Sequence, residues 1–233
     1  MKFKSYTIKS VNEYIALIEK GGASFFYRGQ SQDWPLIPSL GRVTHGHWEE
    51  LAILERDIIR EFKRVSIPHL KHVPSSFEEW ILHAQHYGLP TRLLDWTSNP
   101  LKALYFAVED MANPKDGVVY SSDANNIDWD NLIPELDANL PYFFRPQHLN
   151  ERVIAQESMF LVFPITEEQK AIEPLSSDHY DMDSFGLIEK FIIPNEAKKD
   201  IRFTLDTLGI NRLSIYPGLD GAVDYVKRSF LIE

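Results

Sequence analysis

The chain has 233 residues, of which 44% are hydrophobic and 25% are charged, a composition typical of a globular protein with a substantial core. It contains no cysteine, which excludes disulfide scaffolds, thiolate zinc sites and cysteine nucleophiles. The net charge of −10 argues against a broad basic surface for duplex nucleic acid, but it allows a local basic groove. The sequence has no apolar run of membrane-spanning length and no apolar block near its N-terminus, so we expect a cytoplasmic protein without membrane contact.

The first part of the chain carries signals for one strand and two helices. The segment 21–30 places Gly-Gly before an apolar run, which predicts a turn and a buried strand. Ser76 stands three residues before Glu79, the spacing of a capping box, and predicts the start of a helix that ends at Gly88. Between them, apolar residues three and four positions apart predict a helix over 47–65 with one buried face, formed by Leu51, Leu54, Ile58, Phe62 and Val65.

The middle of the chain continues with short, well-bounded elements. The apolar segment 91–97 lies between a proline and an asparagine and predicts a short strand. Either Ser98 or Asn99 can cap the helix predicted over 100–111, which begins with proline at its first position. The segment 117–122 is a further strand candidate.

The rest of the chain mixes strands and helices. Three more strands are predicted, over 153–163, 186–194 and 213–217, and two helices, over 195–209 and 218–228. Because strands and helices do not alternate strictly, we expect an α+β fold with a mixed or antiparallel central sheet and flanking helices. We expect a single domain over residues 1–233, with a small insertion or a long ordered loop at 123–150.

The first candidate site is Tyr27-Arg28-Gly29-Gln30, on the first buried strand. A guanidinium does not lose its charge, so an arginine on a buried strand needs an anionic or carbonyl partner. That partner is either a ligand phosphate or carboxylate held bidentately, or an internal acid such as Asp95 in a structural salt bridge. Gly29 would let a ligand or another backbone come close.

The second candidate site is Asp95-Trp96-Thr97-Ser98, where a strand runs directly into the start of a helix. Free N–H groups and the positive end of the helix dipole favour an anion at such a position. The two hydroxyls either cap the helix, position a ligand, or do both. Arg92 adds a second cation near this turn, or is a surface charge.

Two further sets of polar residues have both structural and functional interpretations. Gln156 and Glu157 interrupt the strand predicted over 153–163, and since successive strand side chains alternate in direction, only one of them can face a given pocket. Glu79, His83 and His86 lie four and three residues apart, a spacing that could bind a divalent metal. This pattern is not the HExxH signature and has no clear fourth ligand, so we expect no bound metal.

Four segments together resemble the FRG domain family, which is named for its Phe/Tyr-Arg-Gly motif. They are YRGQ (27–30), HYGLPTRLLDWTSNPLKALYFA (86–107), RVIAQESMF (152–160) and LSIYPGLDGA (213–222). The resemblance extends over nearly the whole chain, and the central block is long and specific. The third segment has Ser158 where the family usually carries glycine, and the family itself implies little about function.

The order of these motifs is also similar, more distantly, to ADP-ribosyltransferases of the Arg-Ser-Glu type. This resemblance implies that Arg28 binds the phosphates of NAD and that Thr97 and Ser98 shape the nicotinamide pocket. It implies that Glu157 is catalytic, with Gln156 as its rival, because a carboxylate can stabilise the positive charge that develops at the ribose. The transferase pattern usually has one residue between its two polar residues, whereas here they are adjacent. The implied cofactor site comprises Tyr27, Arg28, Gly29, Gln30, Asp95, Trp96, Thr97, Ser98 and Tyr105, with the aromatic rings available for stacking.

The leading hypothesis is therefore an NAD-dependent, ADP-ribosyltransferase-like enzyme that needs no metal and modifies a nucleic acid or a protein. Analogy suggests a toxin in bacterial anti-phage defence, held in check by an antitoxin or another neutralising partner. One alternative is a metal-dependent hydrolase or nuclease that uses Glu79, His83 and His86. The other is a non-catalytic nucleotide- or RNA-binding sensor module that uses the same Arg28 pocket.

Overall fold

A computed structural model describes residues 4–21, 26–43, 50–70, 72–123, 127–128, 140–146, 150–165, 170–176, 178–180 and 188–230. The strands are β1 (Lys4–Thr7), β2 (Phe26–Gln30), β3 (Leu93–Thr97), β4 (Gly117–Ser122), β5 (Ile127–Asp128), β6 (Tyr142–Phe144), β7 (Ser158–Val162) and β8 (Ile188–Ile193). The helices are α1 (Val11–Gly21), α2 (Leu51–Ser66), α3 (Phe77–His86), α4 (Pro100–Ala107), α5 (Glu151–Ala155), α6 (Lys198–Thr207), α7 (Arg212–Ile215) and α8 (Leu219–Ser229). None of the described helices is long and apolar enough to cross a membrane.

The strands form one mixed sheet in the order β1-β8-β4-β2-β3-β7-β6-β5. The outer pairs, β1 with β8 and β5 with β6, are parallel, and the pairs between them are antiparallel. A mixed central sheet with flanking helices is the fold class expected from the sequence, and the structure confirms it.

Alternating strand residues build cores on both faces of the sheet. One face packs against α2 through residues such as Leu94 and Leu161. On the opposite face, the half of the sheet around β2, β4 and β8 is covered by α1, α4 and α6. The other half of that face, around β3, β6 and β7, is covered by α3 through Leu93 and Phe160. Two helical layers thus lie side by side on one face, and the boundary between them follows the line between β2 and β3.

Glycines on the sheet let α4 approach it closely. A Cβ at Gly29 would lie 1.8 Å from the carbonyl oxygen of Ala103, and one at Gly117 would lie 2.3 Å from that of Ala107. Both of these contacts are with helix backbone, so no side-chain rotation could relieve them. The close approach expected at Gly29 is therefore made by the backbone of α4.

Several of the predicted elements are confirmed because local chemistry determines them. The side chain of Ser76 accepts a hydrogen bond from the backbone N–H of Glu79, and α3 is followed by Gly88 with φ of +86°. Asn99 caps α4 by accepting from the backbone N–H groups of residues 101 and 102, with Pro100 in the first position. The expected strands at 91–97, 117–122 and 186–194 are β3, β4 and β8.

One predicted strand is confirmed in its second half only, and another is wrong. The segment 153–163 contains the end of α5, a turn and then β7, because Asn150 caps a short helix by accepting from the backbone N–H of Val153. The segment 213–217 belongs mostly to α7, where Asn211 and Ser214 form a reciprocal capping box. In both places the N-cap residue lies just before the apolar run.

The segment 123–150 contains β5 and β6, which extend the sheet beyond β7. Residues 124–126, 129–139 and 147–149 lie outside the described residues. Whether this segment is an insertion within a single domain over residues 1–233 stays a prediction.

Candidate functional site

The main cleft lies where β2 and β3 part. In the described chain these strands share a single bridged pair, Tyr27 with Thr97, whereas β3 and β7 pair over five residues. The gap opens a cleft of about 310 Å³ between α3 and α4. It is lined by Tyr27, Arg28, Gly29, Leu82, Gln85, His86, Asp95, Trp96, Thr97, Phe106, Asn150, Arg152, Val153, Gln156, Ser158, Phe160 and Tyr216.

Arg28 spans the gap between the two strands. Its Nη1 donates to the backbone carbonyl of Asp95 at 2.5 Å, and its Nε donates to Oε1 of Gln30 at 3.2 Å. No carboxylate lies within salt-bridge distance of this guanidinium in the described part of the chain, so the expected structural salt bridge to Asp95 is not formed. Burial lowers the pKa of Arg28 to about 10, and the nearby charge of Asp95 opposes this change. The side chain still carries its positive charge at neutral pH.

A second arginine, Arg152, reaches the same cleft from α5. Its guanidinium lies over the ring of Tyr216, 5.3 Å from the ring centroid, which is a cation–π contact. Within the described residues it has no carboxylate partner. The hydroxyl of Tyr216 instead donates to Glu109 at 2.9 Å, which fixes the ring beneath the guanidinium. The cleft therefore contains two guanidiniums that form no ion pair among the described residues, in a protein of net charge −10.

The acidic side of the cleft is formed by Asp95. Its carboxylate accepts a hydrogen bond from Nε2 of Gln85 at 2.8 Å, and Gln85 is in turn held by the hydroxyl of Thr91, which donates to its Oε1. Among the described side chains that line the cleft, Asp95 is the one carboxylate. The amide of Gln85 fixes its orientation without neutralising its charge.

The indole of Trp96 lies on the other face of the sheet from the helices of the cleft. Leu94 and Trp96 alternate with Asp95 along β3, and both belong to the core that packs against α2. Trp96 packs edge-on against Phe143, with 5.2 Å between ring centroids. Its Nε1 is buried in that core and makes no hydrogen bond to the described residues.

Gln156 and Glu157 are on a turn, not a strand. Gln156 is the C-cap of α5, its side chain lines the cleft, and its Nε2 donates to the carbonyl of Ile215 at 3.3 Å. The carbonyl of Gln156 accepts from the hydroxyl of Thr97 at 2.7 Å, which ties the turn to β3. Glu157 has φ of +48°, the left-handed region that is uncommon for a residue with a side chain. The two residues do point in different directions, but the cause is the turn and not strand alternation.

The carboxylate of Glu157 lies outside the cleft, at the start of α4. It forms an ion pair with Nζ of Lys102 at 2.7 Å and accepts from Nδ2 of Asn99 at 2.9 Å, and the side chain is 45% exposed. Burial raises the pKa of Glu157, but the hydrogen bonds from Lys102 and Asn99 outweigh it and hold the pKa below its usual value. Glu157 is therefore ionised at neutral pH and already paired.

The structure brings most, but not all, of the expected site residues together. Tyr27, Arg28, Gly29, Asp95, Trp96, Thr97 and Gln156 line the cleft, and Gln30, Ser98, Tyr105 and Glu157 do not. The Oε1 of Gln30 accepts a hydrogen bond from Nε of Arg28, and its Nε2 donates to the carbonyl of Trp34. Ser98 joins the turn at Glu157, since its backbone N–H donates to the carbonyl of that residue at 3.0 Å. Tyr105 is 0% exposed and packs under the guanidinium of Arg202, 3.9 Å from its ring centroid, so its ring is not available for stacking on a ligand in the cleft.

Neither interpretation of Arg92 is correct. Its side chain is buried and forms an ion pair with Glu55, which is also buried. The same carboxylate accepts from the backbone N–H of Arg92 at 2.8 Å and from its Nε at 2.6 Å. This buried pair fixes the start of β3 against α2.

The proposed metal ligands do not form a cluster. Glu79 accepts from the backbone N–H of Ser75 at 2.6 Å and so belongs to the cap of α3. In the described residues, no group of three or more histidine, aspartate or glutamate side chains is arranged to hold a metal ion. The alternative of a metal-dependent hydrolase that uses Glu79, His83 and His86 is thus without a ligand set in this part of the chain.

Arg152, Phe106, Gln85 and Tyr216 line the cleft but were not among the predicted site residues. The signal for Arg152 was present, because it precedes Gln156 by four residues and the two share one face of a helix. The strand was predicted to begin at residue 153, so Arg152 lay outside the predicted element. Tyr216 lies in a segment that was also predicted as a strand.

Comparison with known families gives one match. The family model of the FRG domain matches residues 23–116, which include β2, α3, β3 and α4. Two of the four segments that resemble the family, 152–160 and 213–222, lie beyond that match. No match was found among curated proteins, and none was found among solved structures.

Proposed function

We propose that this chain, in which residues 23–116 match the FRG domain, is an ADP-ribosyltransferase-like enzyme that binds NAD in the cleft between β2 and β3. One observation carries this proposal: Arg28 and Arg152 line a single cleft, and no carboxylate pairs with either of them in the described part of the chain. Two guanidiniums without an ion-pair partner in the described part of an acidic protein favour an anionic ligand. A dinucleotide diphosphate is such a ligand.

The residues of the cleft fit the parts of NAD. A planar guanidinium binds phosphate oxygens bidentately, which lysine cannot do, and two guanidiniums suit a diphosphate. The ring of Phe106 offers aromatic surface for a flat base. A small number of polar groups in an otherwise aromatic pocket is typical of small-molecule sites.

NAD supplies an ADP-ribosyl group. The bond between the ribose carbon and the nicotinamide nitrogen breaks, and the electron pair leaves with nicotinamide. A new bond then forms from the ribose carbon to an acceptor oxygen or nitrogen, and the acceptor proton passes to solvent. The residues of this chain would bind and orient the reactants. Asp95 would stabilise the positive charge that develops at the reacting carbon, since it is the carboxylate in the described lining. Gln156 would hydrogen-bond the ligand from the facing turn.

Glu157 is the other candidate for the catalytic carboxylate, as the resemblance to transferases implies. To reach the cleft, its side chain would have to leave the ion pair with Lys102 and the hydrogen bond from Asn99. In its present place it holds the turn that presents Gln156 to the cleft. We therefore propose Asp95 as the catalytic carboxylate and Glu157 as a positioning residue.

The second candidate function is a non-catalytic nucleotide-binding sensor, and the position of Glu157 favours it. If a transferase of this type needs the late glutamate, a cleft from which that glutamate is held away would bind NAD without turnover. The acceptor, a nucleic acid or a protein, and a toxin role in anti-phage defence with a neutralising partner remain proposals that rest on analogy.

A thermal shift with NAD, followed by a nicotinamide-release assay on the same protein, separates these functions. Stabilisation by NAD with release of nicotinamide supports the transferase. Stabilisation without release, in the presence of both nucleic acid and protein acceptors, supports the sensor. No stabilisation at NAD concentrations far above the physiological range would overturn both, because a ligand that binds the folded state must raise its stability.

A further inference from the structure

A larger groove adjoins the cleft. Its volume is about 870 Å³, and it lies between the loop after α2, the end of α3, and the starts of α5 and α7. The groove and the cleft share His86, Asn150, Arg152 and Tyr216, so one opens into the other. A molecule lying in the groove would therefore reach a ligand bound in the cleft.

The groove offers one unpaired positive charge and several imidazole donors, although the protein is acidic. Four imidazoles, from His69, His72, His83 and His86, lie in its lining together with Arg152. Nδ1 of His83 is buried and has no hydrogen-bond partner among the described residues. The imidazole donors and the unpaired guanidinium favour an anionic occupant that offers several acceptor oxygens.

Two charged residues of the lining limit this positive character. Arg212 is neutralised by ion pairs with Glu109 at 2.7 Å and Asp224 at 2.8 Å, so it adds little charge. Glu151 is the one acid among the described lining residues. Arg152 has no carboxylate partner among the described residues, so it is the charged group of this lining that is free to contact an anionic occupant.

An exposed ring stands at the edge of the groove. The side chain of Tyr87 is 66% exposed and packs edge-on against His86, with 5.0 Å between ring centroids. A large aromatic ring exposed beside cationic groups is the arrangement that single-stranded nucleic acids recognise, with bases stacked on rings and phosphates on cations. A protein acceptor would not require such a ring.

We propose that this groove binds single-stranded nucleic acid and presents it to the cleft as the acceptor. The acceptor role rests on the proposed function, whereas binding in the groove does not. Phosphates contact Arg152 and the imidazoles of His69 and His72, and a base stacks on Tyr87. Double-stranded nucleic acid does not compete for the groove, because Arg152 and the imidazoles lie inside the groove and not on an extended basic face.

The test is fluorescence anisotropy with labelled single-stranded DNA and RNA oligonucleotides of about 12 nucleotides, within the range that one single-strand-binding domain covers. Tyr87→Ala should weaken binding about 5-fold or more, as expected for one lost stacking contact. The paired change His69→Ala with His72→Ala should also weaken binding, because it removes two imidazole donors from the groove. Matched controls are Phe203→Ala, an exposed ring on α6, and His179→Ala, a partly exposed imidazole elsewhere.

The outcomes separate the two proposals. Weakened oligonucleotide binding in the groove variants, with unchanged NAD binding, supports the groove. Oligonucleotide binding without any NAD binding overturns the proposed function and leaves the groove supported. The groove proposal is overturned if the wild-type protein binds neither oligonucleotide or if the variants and controls bind equally well.

Discussion

Replacing Asp95 by asparagine removes one negative charge from the cleft and keeps the size of the side chain. The remaining amide oxygen can still accept the hydrogen bond from Nε2 of Gln85, which is 2.8 Å long in the wild-type protein. The side chain lies on β3 between buried neighbours but is itself exposed to the cleft, so we expect the fold and its stability to change little. Any effect on activity can then be assigned to the charge.

The expected loss is in rate and not in affinity. Loss of a preorganised electrostatic contact to the developing charge typically lowers the rate by a factor of about 10²–10³. The affinity for NAD should stay the same or rise a few-fold, because Asp95 lies beside Arg28 and its charge opposes phosphate binding. Burial lowers the pKa of Arg28 to about 10 and losing Asp95 lowers it further, but the guanidinium remains charged near pH 7. The assay is nicotinamide release at saturating NAD, with affinity measured by calorimetry.

The matched control is Glu157→Gln, which also removes one charge from an acidic side chain near the site. It breaks the ion pair with Lys102 and, since Glu157 is 45% exposed, should cost about 1 kcal/mol of stability or less. We expect its release rate to fall much less than that of Asp95→Asn. Normal release by Asp95→Asn together with an inactive, folded Glu157→Gln would refute this reasoning, and Glu157 would then be the catalytic carboxylate.

Three further changes test the surroundings of the cleft. Gly29→Ala places a Cβ 1.8 Å from the carbonyl oxygen of Ala103, so β2 and α4 must separate. Chemical denaturation should show that the free energy of unfolding falls by about 1–3 kcal/mol or more, and an unchanged value would contradict the close packing. Glu55→Gln leaves the charge of Arg92 buried without a carboxylate and should cost about 3–5 kcal/mol in the same assay, whereas a neutral result would show that the pair contributes nothing. Burial lowers the pKa of His86 below its ordinary value of 6.5, and the charges of neighbouring cations add to the shift, so protonation should destabilise the folded state as the pH falls below about 6.5. Between pH 7 and pH 5, the melting temperature of His86→Gln should therefore fall less than that of the wild-type protein. Parallel curves of melting temperature against pH would contradict the shift.

The elements predicted correctly are those whose ends are fixed by nearby residues. Ser76 and Asn99 cap α3 and α4 through hydrogen bonds to backbone groups two or three residues away, and Gly88 follows α3 in a conformation that suits glycine. Such contacts depend on sequence neighbours alone. The strand at Arg28 was equally clear, because an apolar run after two glycines has few other interpretations.

The errors arose where a short helix carries a strand-like run of apolar residues. Helix α5 has five residues, too few for its periodicity to show, and forms because Asn150 caps it and Val153 packs into the structure. Once the segment is a helix, Arg152 and Gln156 fall on one face and both reach the cleft. The left-handed turn at Glu157 then directs its carboxylate to Lys102, which no local pattern predicts.

The cleft itself depends on contacts between distant parts of the chain. Candidate residues such as Arg28, Asp95 and Thr97 were visible in the sequence because polar groups in apolar strands are unusual. Tertiary packing determines that β2 and β3 share a single bridged pair and then separate. The guanidinium of Arg28 then donates to a backbone carbonyl of β3 across the gap. Sequence could therefore suggest which residues form the site but not that the sheet opens between them.

The most direct test is a calorimetric titration of NAD into the wild-type protein and into Arg28→Lys. Lysine keeps the charge but loses the planar fork, so the affinity should fall by about 1–3 kcal/mol, or about 5- to 150-fold, with the melting temperature nearly unchanged. Arg64→Lys is the matched control, since this arginine is exposed on α2 and pairs with Glu61 away from the cleft. If Arg28→Lys binds NAD as tightly as the wild-type protein and the control do, Arg28 is a structural residue and the cleft is not an NAD site.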